Sequence, residues 1–262
     1  WNKTVEERVY QKLGFDKIRE MLRARTLSQP GAQLAMELEP SPQSAVVENL
    51  LKETSEAEHI SMAAVSYPMS SFEDIKEELS RLRAGASLSC GELLRVCRLH
   101  KAAKRAHRGI VRDEAAGVER LAEMAQELWY DDQLISRIEQ AILSEEEVAD
   151  NASPELRDIR RKIKSENAQI REKLNGILRN KEKATYLQEG IVTMREGRFV
   201  VPVKQEYRAQ IPGLIHGQSS SGATLFIEPM GIVEANNHLR LLEEEEKREI
   251  ARILQELSDL AG

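Results

Sequence analysis

Arg195, Arg198, Lys204 and Arg208 fall within a short stretch that is otherwise rich in β-branched side chains. Guanidinium forks and mobile ammonium groups suit phosphate oxygens. With His216 and the hydroxyls of Ser219, Ser220 and Ser221, which with their backbone N–H groups suit an oxyanion or phosphate, they form a candidate surface for nucleic-acid contact. An ordinary solvated turn accounts for the same residues. Glu189, Glu196, Glu206 and Glu228 offset the four bases over 186–230, so contact here requires directed geometry rather than bulk attraction.

A second basic feature lies upstream. Arg98, Lys101, Arg105, Arg108 and Arg112 step by three and four residues, one stripe of a helix, with His100, Lys104 and His107 beside it and no acid between. Such a stripe can follow a nucleic-acid backbone with steep salt dependence. A solvated helix face and a dock for an acidic neighbouring domain are equally consistent with it.

Catalytic patterns are weak. The run 217–222 is not a Walker loop, because no Gly-Lys-Ser/Thr ending follows and a strand comes next. A triad of a loop serine with His216 and Glu228 lacks the G-x-S-x-G elbow and anything that orients the base, so a polar loop tip is the simpler reading. Cys90 and Cys97 with His100 share a helical face, but sulfur ligands two turns apart do not make a tetrahedral cage, and reduced core thiols are expected. His59, His238 and the acidic run Glu243–Glu246 read as solvated surface. No catalytic residue, metal site or cofactor is expected in these residues.

The elements that must position the bases follow from periodicity. Residues 191–229 leave the helical pattern: Ile191–Met194 and Phe199–Val203 flank Arg195-Glu196-Gly197-Arg198 as a hairpin, with Gly197 at positive φ. Pro202 argues for an edge strand or a strand end. Leu214–His216 and Ala223–Ile227 close a second pair over 217–222, and Pro229 stops it.

Ser153-Pro154-Glu155 supplies an N-cap, a first-turn proline and an acid, so a long helix starts there. Its seam is Leu156, Ile159, Ile163, Ile170, Leu174 and Ile177, with Gly176 an interior weak spot. A second long helix, from about Ile232, carries Leu239, Leu242, Ile250, Ile253, Leu257 and Leu260. Residues 155–183 hold ten Lys or Arg against five acids and 233–262 hold eight acids against four bases, so the two helices should lie antiparallel.

Before residue 150 the chain reads as shorter helices broken at Gly14, Gln29-Pro30-Gly31, Pro40-Ser41-Pro42, Tyr67-Pro68, Gly85 and Ser89. Their apolar runs (Phe15, Ile18, Met21, Leu22; Val46, Val47, Leu50, Leu51; Leu93, Leu94, Val96, Cys97, Ala103) are packing faces. The fold class is mainly α: a helical core region over 1–152, two long antiparallel lever helices over 153–186 and 231–262, and a small antiparallel β clamp over 187–230.

The segments NASPELRDIRRKI (151–163), IVTMREGRFVVPVKQEYR (191–208), GLIHGQSSSGATLFIEP (213–229) and NNHLRLLEEEEKREI (236–250) resemble the MutS-two family, bacterial relatives of the MutS mismatch-repair ATPases. LGFDKIREMLRARTLSQPGAQLAMELEPS and LSCGELLRVCRLHKAAKR resemble its amino-terminal region, so the similarity covers nearly the whole chain. The resemblance implies a helical core, lever helices and a clamp at their tip. It also implies a homodimer that embraces nucleic acid. The family's ATPase, which would use ATP and Mg, and its Smr nuclease have no matching positions here. Two activities are associated with the family: suppression of recombination by acting on branched DNA, and rescue of collided ribosomes. A dimerisation scaffold without nucleic-acid contact is a third reading.

With 31% charged and 4% aromatic residues, a mean hydropathy of -0.48 and a net charge of -6, the composition suits long solvated helices. It contains no apolar run of about 18 residues, and WNKTVEERVY lacks a signal-peptide core. A cytoplasmic protein without membrane contact is expected. A start at Trp1 and an end just after a helical pattern suggest a piece of a longer protein.

Overall fold

The structure, a computed structural model, describes residues 9–63, 67–111 and 117–262. They form two compact units, one of residues up to 149 together with 254–262, the other of residues 150–253.

The first unit is helical: α1 (Phe15–Arg23), α2 (Gln29–Glu37), α3 (Ser44–Ala63), α4 (Lys76–Arg83), α5 (Cys90–Val111), α6 (Glu119–Gln126) and α7 (Asp132–Ala141). Two of the breaks expected from sequence, at Gln29-Pro30-Gly31 and at Ser89, carry side-chain caps. Ser28 Oγ accepts from Gly31 N (3.2 Å) with Pro30 in the first turn. Ser89 and Glu92 close a reciprocal box at α5, where Glu92 Oε2 accepts from Ser89 N (2.7 Å) and Ser89 Oγ from Glu92 N (3.4 Å). Asp131 Oδ1 caps α7 by accepting from Gln133 N (2.7 Å) and Leu134 N (3.1 Å).

The helix α5 packs on α6 and α7 and buries Leu93, Val96 and Cys97 with Leu134, Ile135 and Ile138. The other expected packing faces differ. Ile18, Met21, Leu22, Leu50 and Leu51 remain exposed, and none of them is buried among the described residues.

The second unit begins with α8 (Pro154–Arg179), capped by Ser153 Oγ accepting from Leu156 N (2.9 Å). This helix runs unbroken through the expected weak spot at Gly176. It ends instead at Asn180, whose side chain caps the short α9 (Lys181–Tyr186) by accepting from Glu182 N and Lys183 N.

A four-stranded antiparallel sheet follows: β1 (Thr193–Arg195), β2 (Arg198–Lys204), β3 (Gly213–Gln218) and β4 (Thr224–Pro229), in the order β1-β2-β4-β3. The chain then leaves along α10 (Val233–Ala261). At the β1–β2 turn both Glu196 (φ 51°) and Gly197 (φ 74°) are left-handed, the geometry that a two-residue hairpin turn with matching twist requires.

Pro202 sits in an inner strand rather than at an edge. Pairing of β2 with β1 stops at Val200, and the Pro202 carbonyl accepts from Gln188 N (2.9 Å) on that side, so the missing N–H falls where no ladder bond is due. Gly213 is required by close approach: a Cβ there would lie 2.1 Å from the Glu228 carbonyl oxygen.

Alternation along the strands divides the sheet into two faces. Phe199, Val201, Val203, Leu225 and Ile227 point into one core with Ile170, Leu174, Ile232 and Leu239 of the helices. The sheet is therefore not held away from its helices on bare stalks; it shares their apolar seam. Within this unit α8 and α10 lie side by side and antiparallel. Ser153 Oγ donates to Glu249 Oε1 (2.7 Å), Arg160 Nε to Glu246 Oε1 (2.6 Å), and His238 Nδ1 lies 2.8 Å from Glu166 Oε1. His238 lies at the surface, as expected, but is not alone there, since it pairs with Glu166 across the two helices. Leu156, Ile170, Leu174, Leu239, Leu242 and Ile253 are buried as the seam predicts, Ile159, Ile163, Ile177 and Ile250 are half-buried, and Leu260 is 50% exposed. The last turns of α10 belong to the first unit, where Ser258 Oγ accepts from Leu88 N (2.9 Å).

Candidate nucleic-acid interface

The second face of the sheet collects four of the residues singled out by sequence. By register, Arg195 pairs with Arg198 and Lys204 with Thr224, which places Arg195, Arg198 and Lys204 on the face opposite the core, with Phe226 and Glu228 of β4. His216 joins them through its bond to Glu228.

Glu228 is the centre of this face and is fully buried. Its Oε1 accepts from Arg198 Nη1 (2.7 Å) and from Asn236 Nδ2 (2.8 Å), and its Oε2 accepts from His216 Nε2 (2.6 Å). Arg198 Nη2 also donates to Asn237 Oδ1 (2.5 Å). Asn236 completes the sheet where β4 stops at Pro229, because its Oδ1 accepts from Phe199 N (3.2 Å) while its Nδ2 donates to Phe199 O (3.1 Å). A buried carboxylate needs such a set of partners to offset its desolvation. Arg198 and His216 are thereby committed to the fold.

Arg195, Lys204 and Arg208 are freer. The Arg195 guanidinium lies over the Phe226 ring, 4.0 Å from its centroid, and the residue stays exposed. Lys204 Nζ donates to the Thr185 carbonyl (3.0 Å) and lies 6.0 Å from the centre of the Tyr207 ring. Arg208 is exposed in the 3-10 turn Gln205–Gln210.

The serine loop folds on itself at the Lys204 end of the sheet. Ser219 Oγ accepts from Thr224 N (3.1 Å) and lies 3.3 Å from Ser221 Oγ, Ser221 Oγ accepts from Ala223 N (3.4 Å), and Ser220 is exposed. Gly217 (φ 124°) and Gly222 (φ 75°) supply the left-handed backbone of this turn. His216 and Glu228, weighed from sequence as two members of a triad, do meet, yet the serine hydroxyls bond within their own loop, so the pair anchors a strand and has no nucleophile on it.

The basic stripe on α5 is taken up inside the first unit. Arg98 Nη2 meets Glu73 Oε1 (3.0 Å), Lys101 Nζ meets Glu139 (2.6 Å), Lys104 Nζ meets Asp132 (2.5 Å) and Arg108 Nη2 meets Asp132 (3.3 Å). Arg105 Nη2 donates to the Tyr67 carbonyl (2.7 Å). The hydrogen bond from Lys104 holds Asp132 below the usual carboxylate range, and that to Glu139 raises Lys101. Arg112 lies outside the described residues.

On the other face of α5, burial pushes the thiols of Cys90 and Cys97 up. His100 Nδ1 accepts from Asp131 N (3.2 Å), and its ring meets Trp129 edge-on at 5.3 Å. Among the described residues no three His, Cys, Asp or Glu are grouped to hold a metal, and no helix is long and apolar enough to cross a membrane.

Sequence reasoning missed Asn236 and Asn237, and it weighed Glu228 as an offsetting charge and as a possible triad member rather than as a buried structural acceptor. An uncharged Asn-Asn pair at the start of an otherwise charged helix was the available signal.

No protein-family model matches the chain. Among curated proteins it is similar to Endonuclease MutS2 of Ruminiclostridium cellulolyticum, 44% identical over 260 residues, covering 98% of this chain and 33% of that protein. Endonuclease MutS2 of Acetivibrio thermocellus is 42% identical over 97% of the chain, and that of Clostridioides difficile 40% over 98%. The chain spans about a third of the length of the curated relatives it matches. A helical unit, a paired-helix unit and a small antiparallel sheet, together with identity at this level along nearly its whole length, make the chain a member of the MutS2 family.

Proposed function

We propose that the second unit is a nucleic-acid clamp: the sheet face carrying Arg195 and Lys204, with Arg208 beside it, meets phosphates, and α8 and α10 are the levers that carry it. Branched DNA is its target. One observation carries the reading: the bases gather on the side of the sheet away from the core, and buried Glu228 fixes Arg198 and His216 there, so the remaining cations project from a rigid platform. Preorganised cations lose little entropy on meeting phosphate, and the register of the strands sets their spacing. The name Endonuclease MutS2 belongs to relatives three times as long, in which hydrolysis and cleavage would be the work of other regions.

The test is a triple variant, R195A/K204A/R208A, which leaves the Glu228 network in place. Binding of a four-way DNA junction, measured from low to moderate salt, should weaken, and the slope of log affinity against log salt should fall by roughly three, about 0.9 for each phosphate contact. Unchanged affinity and slope would reject the clamp. Tight binding of ribosomes with indifferent binding of junctions would move the same surface to structured RNA.

A further inference from the structure

A cleft of about 350 Å³ opens elsewhere on the second unit, lined by Lys173 and Ile177 of α8, Lys183 of α9, and the crossing chains at Ile211 and Gly231–Ile232. No acid lines it. Neither lysine has an ion pair or side-chain hydrogen bond among the described residues, whereas Arg160, Arg198, Lys247 and Arg252 of the same unit are each paired with a carboxylate.

The sequence around the cleft is basic: residues 171–183 hold five Lys or Arg against two Glu. The positive charge of α8 would be accounted for if α10 used it up, but of its eight Lys and Arg only Arg160, among the described residues, forms an ion pair with an acid of α10. Apolar walls at Ile177, Ile211 and Ile232 strengthen the field of the two ammonium groups at the opening by keeping water off one side. Two mobile point charges without a guanidinium fork suit the rounded, multiply oxygenated surface of a phosphate better than a planar carboxylate.

We infer that this cleft is a second phosphate-binding site, on which Lys173 and Lys183 hold the sugar-phosphate backbone of the nucleic acid that the sheet face grips. The inference rests on the clamp reading above, and the experiment separates the two. The variant K173A/K183A changes two exposed helical positions to the strongest helix former, so the fold is retained, as circular dichroism and the melting temperature will report. With a double-stranded DNA of random sequence, its salt slope should fall by about two relative to the parent chain, equally for different sequences, and K173R/K183R should restore it.

A folded K173A/K183A chain with the parental slope, while R195A/K204A/R208A has lost slope, overturns the cleft and leaves the clamp standing. A parent chain without salt-dependent binding overturns both. Inorganic pyrophosphate supplies the control for a free ligand. If it shifts the amide resonances of Ile177 and Gly231 in the parent and not in K173A/K183A, while DNA slopes stay equal, the site takes a small phosphate compound and the backbone assignment is wrong.

Discussion

Glu228 shows how one residue can change the meaning of its neighbours. Counted along the sequence it subtracts one charge from a basic stretch; in the fold it is the buried acceptor that Arg198, His216 and Asn236 converge on. Glu228→Gln would replace an acceptor-only group with one that presents an amide donor to Arg198 or His216, and breaking a buried pair in this way costs about 3 kcal/mol. Chemical denaturation should show it as a lower midpoint. Asn236→Ala leaves the N–H and carbonyl of Phe199 and one Glu228 oxygen short of a partner, and a loss of about 2 kcal/mol is expected by the same measurement. By contrast Arg208→Ala, at an exposed position, should leave the midpoint within about 0.5 kcal/mol of the parent. The bases themselves were legible as a cluster, because residue type and spacing are local properties. Which of them is free was not legible, since that depends on Asn236 and Asn237 reaching back to strands more than thirty residues earlier.

At the scale of elements, periodicity served well where a seam is long. Leu156, Ile170, Leu174, Leu239, Leu242 and Ile253 are buried as expected, and helix caps at Ser153 and Ser89 were readable because a capping residue acts within one turn. It served less well at Leu260, which follows the heptad yet stays half exposed, and at Pro202, where the end of β1 pairing allows a proline in an inner strand. Leu174→Ala should therefore cost about 3 kcal/mol and Leu260→Ala under about 1, a difference that paired unfolding curves will resolve. The first unit carries a pH dependence of its own. Burial depresses His100, only partly opposed by Asp131, so the folded chain holds the ring neutral while the unfolded chain takes up a proton near pH 6.5. The stability this neutral ring supports is fully present above that value and declines as pH falls below it. The difference in melting temperature between the parent and His100→Gln should accordingly change between pH 7.5 and 5.5, with the parent losing more; a difference that stays constant would dissociate His100 from acid sensitivity.

At the scale of the whole molecule, charge is distributed by unit rather than by sum. The net charge of -6 conceals a first unit whose densest stripe of bases is met by Glu73, Asp132 and Glu139, and a second unit in which Arg195, Lys204 and Arg208 by the sheet and Lys173 and Lys183 at the cleft form no ion pair among the described residues. Local arrangement, not net charge, sets contact with a polyanion. The relatives named Endonuclease MutS2 extend to about three times this length. The most direct measurement places a photoreactive probe at position 195, 208 or 183 in turn, with a control at exposed Met62 of the first unit, and maps crosslinks to a four-way DNA junction. Strong crosslinks from the three probes of the second unit and background levels from position 62 are expected; a junction that crosslinks at position 62 and at none of the three contradicts the clamp.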